Sequence, residues 1–481
     1  MEETRSLTGR EKFGYSLGAV AKDMVYMLSA SYVLYYFQDI MGVSAVAMGI
    51  ILLVARIFDA FNDPIMGIIV AKTKTKIGKF RPWLLIGTLT NAVILVLMFS
   101  CPVNLSPTGL IAYAAVFYIL WGVTYTMMDI PYWSMIPAFT KGGKEREGLT
   151  TLARSCAGVG SAIITIITMM SVYALGRVFT GGDAASVERV GFQWFAIIVA
   201  AIFVVFIIIT CVSVKERSTV DMKTATVGQM FKALIQNDQA VAVVIAIVVV
   251  NFSIYITSNL VIYFFKYDFG GTGWYNSYTL FNTFGGAIQV LSMMIFYPLL
   301  RKWFNSIKIY FIAMIMCIVG YATLLIIAST AMSNVYILFI PAFFIFAANG
   351  MLSVLTTVFL ANTVDYGELK NHRRDESVIF SMQTFVVKLA SGLSALVASV
   401  AIQIFNFSSD TAVTEAEKVI DFSEGIELSQ KMGIRMTMTL IPIAGLVFAI
   451  IWFKKRYKLT DEKIEEIAEQ VKQQRALDSK G

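Results

Sequence analysis

Residues 53–70 read LVARIFDAFNDPIMGIIV. Apolar side chains fill this stretch except at Arg56, Asp59, Asn62 and Asp63, and the three charges recur at intervals of three and four residues. That spacing puts them on one face of a helix. The apolar run around them, 42–71, is longer than the roughly 20 residues that a helix needs to cross a bilayer. A charged stripe in such a run has to face something other than lipid.

The rest of the chain follows suit. Of its 481 residues, 57% are hydrophobic and only 15% charged, against about 25% charged in soluble domains. An ordinary soluble protein is excluded. Further long apolar runs lie at about 15–37, 83–103, 108–138, 151–176, 191–214, 240–265, 274–299, 309–329, 336–364, 377–406 and 436–453. With 42–71 they predict an all-α polytopic membrane protein of twelve transmembrane helices.

The net charge is +7, but its distribution matters more than its sign. The N-terminal tail, the even-numbered loops and the C-terminal tail hold 29 of the 39 Lys and Arg residues; the odd-numbered loops hold 6 and the spans 4. Lys and Arg are retained on the cytoplasmic side, so both termini are expected there, and nucleic acid is not the expected partner. The longest polar stretch between spans, 215–239, divides the chain into six helices and six. The expected organisation is an N-terminal bundle over 1–214, a central cytoplasmic loop over 215–239, a C-terminal bundle over 240–453 and a cytoplasmic tail over 454–481. Six plus six is by analogy the major facilitator layout, whose halves rock about a site near the bilayer midplane. The tail, rich in Lys, Glu and Gln, reads as a solvated helix.

Eight ionisable residues fall inside apolar spans: Lys22, Asp23, Arg56, Asp59, Asp63, Asp129, Arg154 and Lys388. Each costs about 2.5–3.5 kcal/mol at a helix centre, so eight unpaired would cost about 20–28 kcal/mol, beyond the roughly 5–15 kcal/mol that holds a protein folded. Four acids and four bases compensate one another if they share a polar cavity. Structural salt bridges between helices are the plainer alternative. Asp59 and Asp63, one turn apart, repel in a low dielectric, and a monovalent cation would relieve the repulsion. An Arg56–Asp59 bridge beside a protonated Asp63 would do so as well.

In 123–134, VTYTMMDIPYWS, helical spacing aligns Tyr125, Thr126, Asp129 and Trp133, with Pro131 expected to loosen the helix. A carboxylate accepts strong hydrogen bonds from hydroxyls, and an indole offers its face to the C–H side of a sugar ring. The four cysteines have no paired spacing, and His372 is the only histidine. A membrane enzyme would need a surface base or a metal site, and a sensor would carry no flux.

Six segments together resemble the glycoside–pentoside–hexuronide:cation symporters over nearly the whole chain: KDM at 22–24, LVARIFDAFNDPIMG at 53–67, GKFRPWLLIGTL at 78–89, YILWGVTYTMMDIPYWS at 118–134, ANTVDYGE at 361–368 and QTFVVK at 383–388. The resemblance implies a carrier, no catalytic residue and no cofactor. Asp59, Asp63, Thr126 and Asn62 would bind the coupling cation, Na⁺, Li⁺ or H⁺. Asp23 and Asp129 would accept hydrogen bonds from sugar hydroxyls, Arg154 and Lys22 would donate, Trp133 would stack on the ring, and Tyr125 would support them. Lys388 and Arg56 would balance charge.

The loop at 365–376, DYGELKNHRRDE, would form a cytoplasmic gate through Asp365 and Arg374, although a merely solvated loop fits its alternating charges equally well. A galactoside such as melibiose is the expected sugar, because the family's glucuronide and pentoside branches typically lack the tryptophan of DIPYWS. The alternative is another glycoside, a pentoside or a hexuronide, moved with protons. Ala30, Ser353 and Asn362 depart from the melibiose-transporting pattern, where tyrosine, tryptophan and aspartate stand. A monomer in the cell membrane is the expected working unit.

Overall fold

A computed structural model describes residues 6–140, 143–180, 184–216, 227–330, 332, 334–371, 376–407 and 421–478. The described elements are helical throughout: α1 (Gly9–Tyr35), α2 (Ala45–Lys72), α3 (Arg81–Met98), α4 (Pro107–Ser134), α5 (Ile136–Phe139), α6 (Gly143–Phe179), α7 (Ala184–Ser213), α8 (Val227–Gln236), α9 (Asp238–Tyr263), α10 (Trp274–Leu291), α11 (Tyr297–Leu300), α12 (Ser306–Thr330), α13 (Phe339–Asn371), α14 (Glu376–Ile404), α15 (Leu428–Arg456) and α16 (Asp461–Asp478). Eleven of the spans among the described residues are long and apolar enough to cross a membrane. The twelfth crossing is α1, whose 27 residues suffice in length but carry Lys22 and Asp23 midway.

The chain forms two compact units. The first gathers α1 to α7 with Gly271–Thr279 and Ile402–Gly425; the second holds the remainder from α8 onward. In the first, α1 packs against α6 and α7, α3 against α4 and α7, and α2 against α4. In the second, α9 packs against α15, and α12 against α13 and α15.

Large apolar side chains line the outside of the helices, and charges of the spans such as Lys22, Arg56 and Asp59 lie inside. Along α2, Ile50, Val54, Phe58, Phe61, Ile65 and Ile69 are exposed, while Arg56 and Asp59 are buried. A continuous apolar stripe of that length suits hydrocarbon, not water. Small residues let backbones touch where the bundle is tightest: a Cβ at Gly160 of α6 would collide with the Val20 carbonyl of α1.

The basic run before α3 is tied down. Glu216, just past α7, accepts from the backbone N–H groups of Lys79, Phe80 and Arg81 at 2.7, 2.9 and 3.1 Å. A carboxylate there satisfies otherwise orphaned donors at a helix start.

Several readings of the sequence need correction. Asp365 lies on α13, which runs on to Asn371, because Glu368, Leu369 and Lys370 are good helix formers that carry the helix past its apolar run. Helices α6 and α15 begin eight residues before their apolar runs for the same reason. Pro131 sits inside a continuous α4, and the break falls later, at Met135. The tail is not simply solvated: α16 packs against α13, and Asp461 pairs with Arg301 at 2.8 Å.

Candidate functional site

Two clusters of charge occupy the first unit, one on either side of α4. The helix presents Tyr125, Asp129 and Trp133 on one face and Gly122 and Thr126 on the neighbouring one, each series stepping by about one turn.

The first cluster centres on Lys22 of α1. Its ammonium lies 2.7 Å from Asp23 Oδ1, 2.8 Å from Asp129 Oδ1 and 3.3 Å from the Tyr125 hydroxyl. The Lys22 side chain is only 4% exposed, whereas Asp23 and Asp129 keep 22% and 31% of theirs. The lysine therefore holds two carboxylates from behind while they present oxygens to an open side. Asp23 Oδ2 also accepts from Ser161 of α6 at 3.5 Å. On the same side the exposed Arg154 lays its guanidinium 3.8 Å from the centre of the Trp133 ring. A flat cation on an indole is favourable, and it covers one face of the tryptophan, so a ring stacked on Trp133 has the other face or must displace Arg154.

Beneath this cluster α1 and α4 are joined by a reciprocal pair. Tyr15 donates to the Tyr132 carbonyl at 2.6 Å, Tyr132 donates back to the Tyr15 carbonyl, and the rings stack at 4.5 Å. The distance between Asp23 and Asp129 is thereby fixed by the fold.

The second cluster lies between α2 and α4. Asp59 faces Gly122, where a Cβ would stand 2.6 Å from Asp59 Oδ1, and Asp63 accepts from Thr126 at 3.0 Å. Two carboxylates one turn apart thus meet two small α4 residues one turn apart. Arg56 Nη1 lies 3.4 Å from Asp59 Oδ2, a long ion pair for two buried groups. Asn62 brings a buried amide nitrogen that finds no hydrogen-bond partner among the described residues. Arg56, Asp59 and Asp63 sum to a formal charge of −1, whereas Lys22, Asp23, Asp129 and Arg154 sum to zero.

The structure brings ten of the fourteen residues singled out in the sequence into these two clusters and sets Asn62 beside the second. Lys388 and Asp365 lie on α14 and α13 of the second unit. Arg374 is outside the described residues.

Sequence reasoning missed Ser161, Gly122 and the Tyr15–Tyr132 pair, which a helical wheel of α1 and α4 could have suggested. It also missed buried charges at span ends, Glu188, Asp268 and Arg435 among them. Glu188 accepts from Tyr35 at 2.7 Å and from Tyr173. Asp268 accepts from Arg435 Nε and Nη2 at 2.7 and 2.6 Å. Polar flanks hid both: a span end and a loop look alike in composition.

The family model described as MFS/sugar transport protein matches residues 14–461. The chain is 30% identical over 390 residues to the isoprimeverose transporter of Lactiplantibacillus pentosus, covering 80% of this chain and 78% of that one. It is 27% identical over 472 residues to the raffinose carrier protein of Pediococcus pentosaceus, covering 94% and 70%. A crystal structure of a bacterial homolog to the human lysosomal transporter Spinster, inward-facing and unoccupied, is similar with a TM-score of 0.67 at 12% identity, covering 95% and 97%. That likeness carries the fold alone. With its motifs and its helices both accounted for, the chain belongs to the MFS/sugar transport protein family, the glycoside–pentoside–hexuronide:cation symporters.

Proposed function

We propose that the chain imports a galactoside such as melibiose together with a monovalent cation, Na⁺ or else Li⁺ or H⁺, by alternating access across the cell membrane, with both termini cytoplasmic. It is a carrier and not an enzyme. The observation that carries this reading is the split of charge between the two clusters: a neutral one with outward-facing carboxylates beside an indole, and one of formal charge −1 built from Arg56, Asp59 and Asp63.

The neutral cluster suits an uncharged ligand rich in hydroxyls. Asp23 and Asp129 accept from the sugar, with charge-assisted strength; Arg154 and Lys22 donate, Tyr125 supports Lys22, and Trp133 takes the apolar face of the ring. The negative cluster suits one monovalent cation. Asp63 and Thr126 offer oxygens, the carbonyl of Asn62 can add a third once its amide turns, and Asp59 joins as it loosens from Arg56. A cation there removes the repulsion between Asp59 and Asp63. Linkage then requires that cation and sugar raise each other's affinity by the same factor. Lys388 balances the carboxylates when the cation has left, and Asp365 with Arg374 gates the cytoplasmic side. One monomer suffices.

Similarity to an isoprimeverose transporter supports a second reading, a pentose-bearing glycoside in the same pocket. Uptake of labelled melibiose, raffinose, lactose and isoprimeverose into vesicles, each with Na⁺, with Li⁺ and with neither, separates them. The expected result is Na⁺-stimulated accumulation of an α-galactoside. Preference for isoprimeverose transfers the proposal to the second reading, and no flux of any sugar overturns both.

A further inference from the structure

The geometry points to Tyr26 as the positioning residue through which occupancy of the cation cluster reaches the sugar cluster. This rests on the functional reading above and adds to it the path of coupling.

Tyr26 stands one turn beyond Lys22 on α1, in the space between the clusters. The Arg56 guanidinium carbon is 5.9 Å from the centre of the Tyr26 ring and 5.9 Å from that of Tyr118. On its other side the Tyr26 ring lies 5.6 Å from Tyr125 and 6.2 Å from Trp121. Tyr118 and Trp121 stack at 5.8 Å, and Trp121 and Tyr125 at 5.3 Å. The Tyr125 hydroxyl then reaches Lys22, 3.3 Å from its ammonium and 3.4 Å from its carbonyl. The contacts run without a gap from Asp59 through Arg56, Tyr26 and Tyr125 to Lys22, which holds both Asp23 and Asp129.

Arg56 has two kinds of partner, and they compete. Asp59 attracts it from one side at 3.4 Å, and the ring faces of Tyr26 and Tyr118 attract it from the other, an interaction that strengthens when water is excluded. A monovalent cation at Asp59 and Asp63 takes a share of the carboxylate charge, so the guanidinium settles toward the rings. Tyr26, held between that guanidinium and Tyr125, transmits the shift. Tyr125 sets how the Lys22 ammonium divides between the two carboxylates that accept sugar hydroxyls. Arg56 is the element with two arrangements, and both ligands bias it, which is what coupling between sites requires.

The test is sugar binding to the purified full-length carrier, with melibiose and, in a parallel arm, isoprimeverose, each titrated in saturating Na⁺ and in choline. The ratio of the two affinities is the coupling factor, which for linked sites is typically about 5–150-fold. Tyr26→Leu should bring the factor below about twofold while leaving sugar affinity in choline within about threefold of wild type, since a lost ring weakens the path and not the pocket. Tyr26→Phe keeps the ring and should keep the factor. Tyr26→Met, flexible and apolar, repeats the loss should the leucine variant not fold. Na⁺ affinity with and without sugar must show the same loss, by reciprocity. A factor in Tyr26→Leu or Tyr26→Met within twofold of wild type overturns the proposal and assigns coupling to the α4 backbone between Tyr125 and Thr126. Loss in Tyr26→Phe equal to that in Tyr26→Leu overturns it too. A wild-type factor of one in both arms would instead sink the symport reading, and the path with it.

Discussion

In the first unit Lys22 divides one positive charge between Asp23 at 2.7 Å and Asp129 at 2.8 Å, while in the second Arg435 gives two parallel hydrogen bonds to Asp268 alone, at 2.7 and 2.6 Å. Both arginine and aspartate in the second pair are buried. Their geometry is the saturated fork that guanidinium and carboxylate favour, and it ties the segment Phe264–Phe269 that follows α9 to the start of α15. The first cluster is more exposed by comparison, because Asp23 and Asp129 keep 22% and 31% of their side chains open. The Arg56–Asp59 pair is looser still, at 3.4 Å. The clamp in the second unit is one buried fork between two residues; the cluster in the first unit shares one lysine between two partly exposed carboxylates.

The contrast breaks first, and hardest, at the shared lysine's partners. On the proposed function, Asp23→Ala or Asp129→Ala would remove acceptors for two sugar hydroxyls, at about 1.5–3 kcal/mol each for bonds to a charged group. Sugar affinity should fall by roughly 10²- to 10⁴-fold while the melting midpoint barely moves; isothermal titration and a thermal melt on the same preparation read both, and wild-type affinity in either variant would refute the pocket. Asp268→Ala should behave in the opposite sense. Stranding Arg435 in the interior costs about 3–5 kcal/mol of stability, seen as a lowered melting midpoint with sugar affinity unchanged in the folded fraction. Replacing both partners by leucine should restore most of the midpoint, and failure to do so would mean the pair does more than clamp. The finest distinction lies at Gly122. Gly122→Ala puts a Cβ 2.6 Å from Asp59 Oδ1, overpacking worth about 1–3 kcal/mol. Na⁺ affinity should drop by roughly tenfold, with sugar affinity in choline preserved; an unchanged Na⁺ titration would separate Asp59 from the cation.

Most of the first unit's charge placement was legible because it is periodic. Arg56, Asp59 and Asp63 share a helix face by spacing alone, and so do Tyr125, Asp129 and Trp133. The α2 stripe sits in an apolar run too long for anything but a membrane span. What escaped was what periodicity does not encode. Asp268 and Arg435 are 167 residues apart, and each lies beyond the end of an apolar run, where a buried charge and a loop charge look the same. Asp365 lies past the apolar run because hydropathy stops where the helix does not. Tyr26 sits four residues after Lys22, but an aromatic in an apolar helix reads as a lipid-facing side chain until a guanidinium is seen beside it. Arg154 was legible as a charge in an apolar span, yet its seat on Trp133 was not, since nothing in the spacing of α4 and α6 relates the two.

The paired tyrosines beneath the Lys22 cluster carry one more consequence. Tyr15 and Tyr132 exchange hydrogen bonds and lie ring on ring, so the walls beside Asp23 and Asp129 are already tied when a guest arrives. The ordering entropy of that corner is spent during folding instead of during recognition. Binding there should show the small heat-capacity change of a ligand entering a ready-made mould, with no signature of a loop condensing around it.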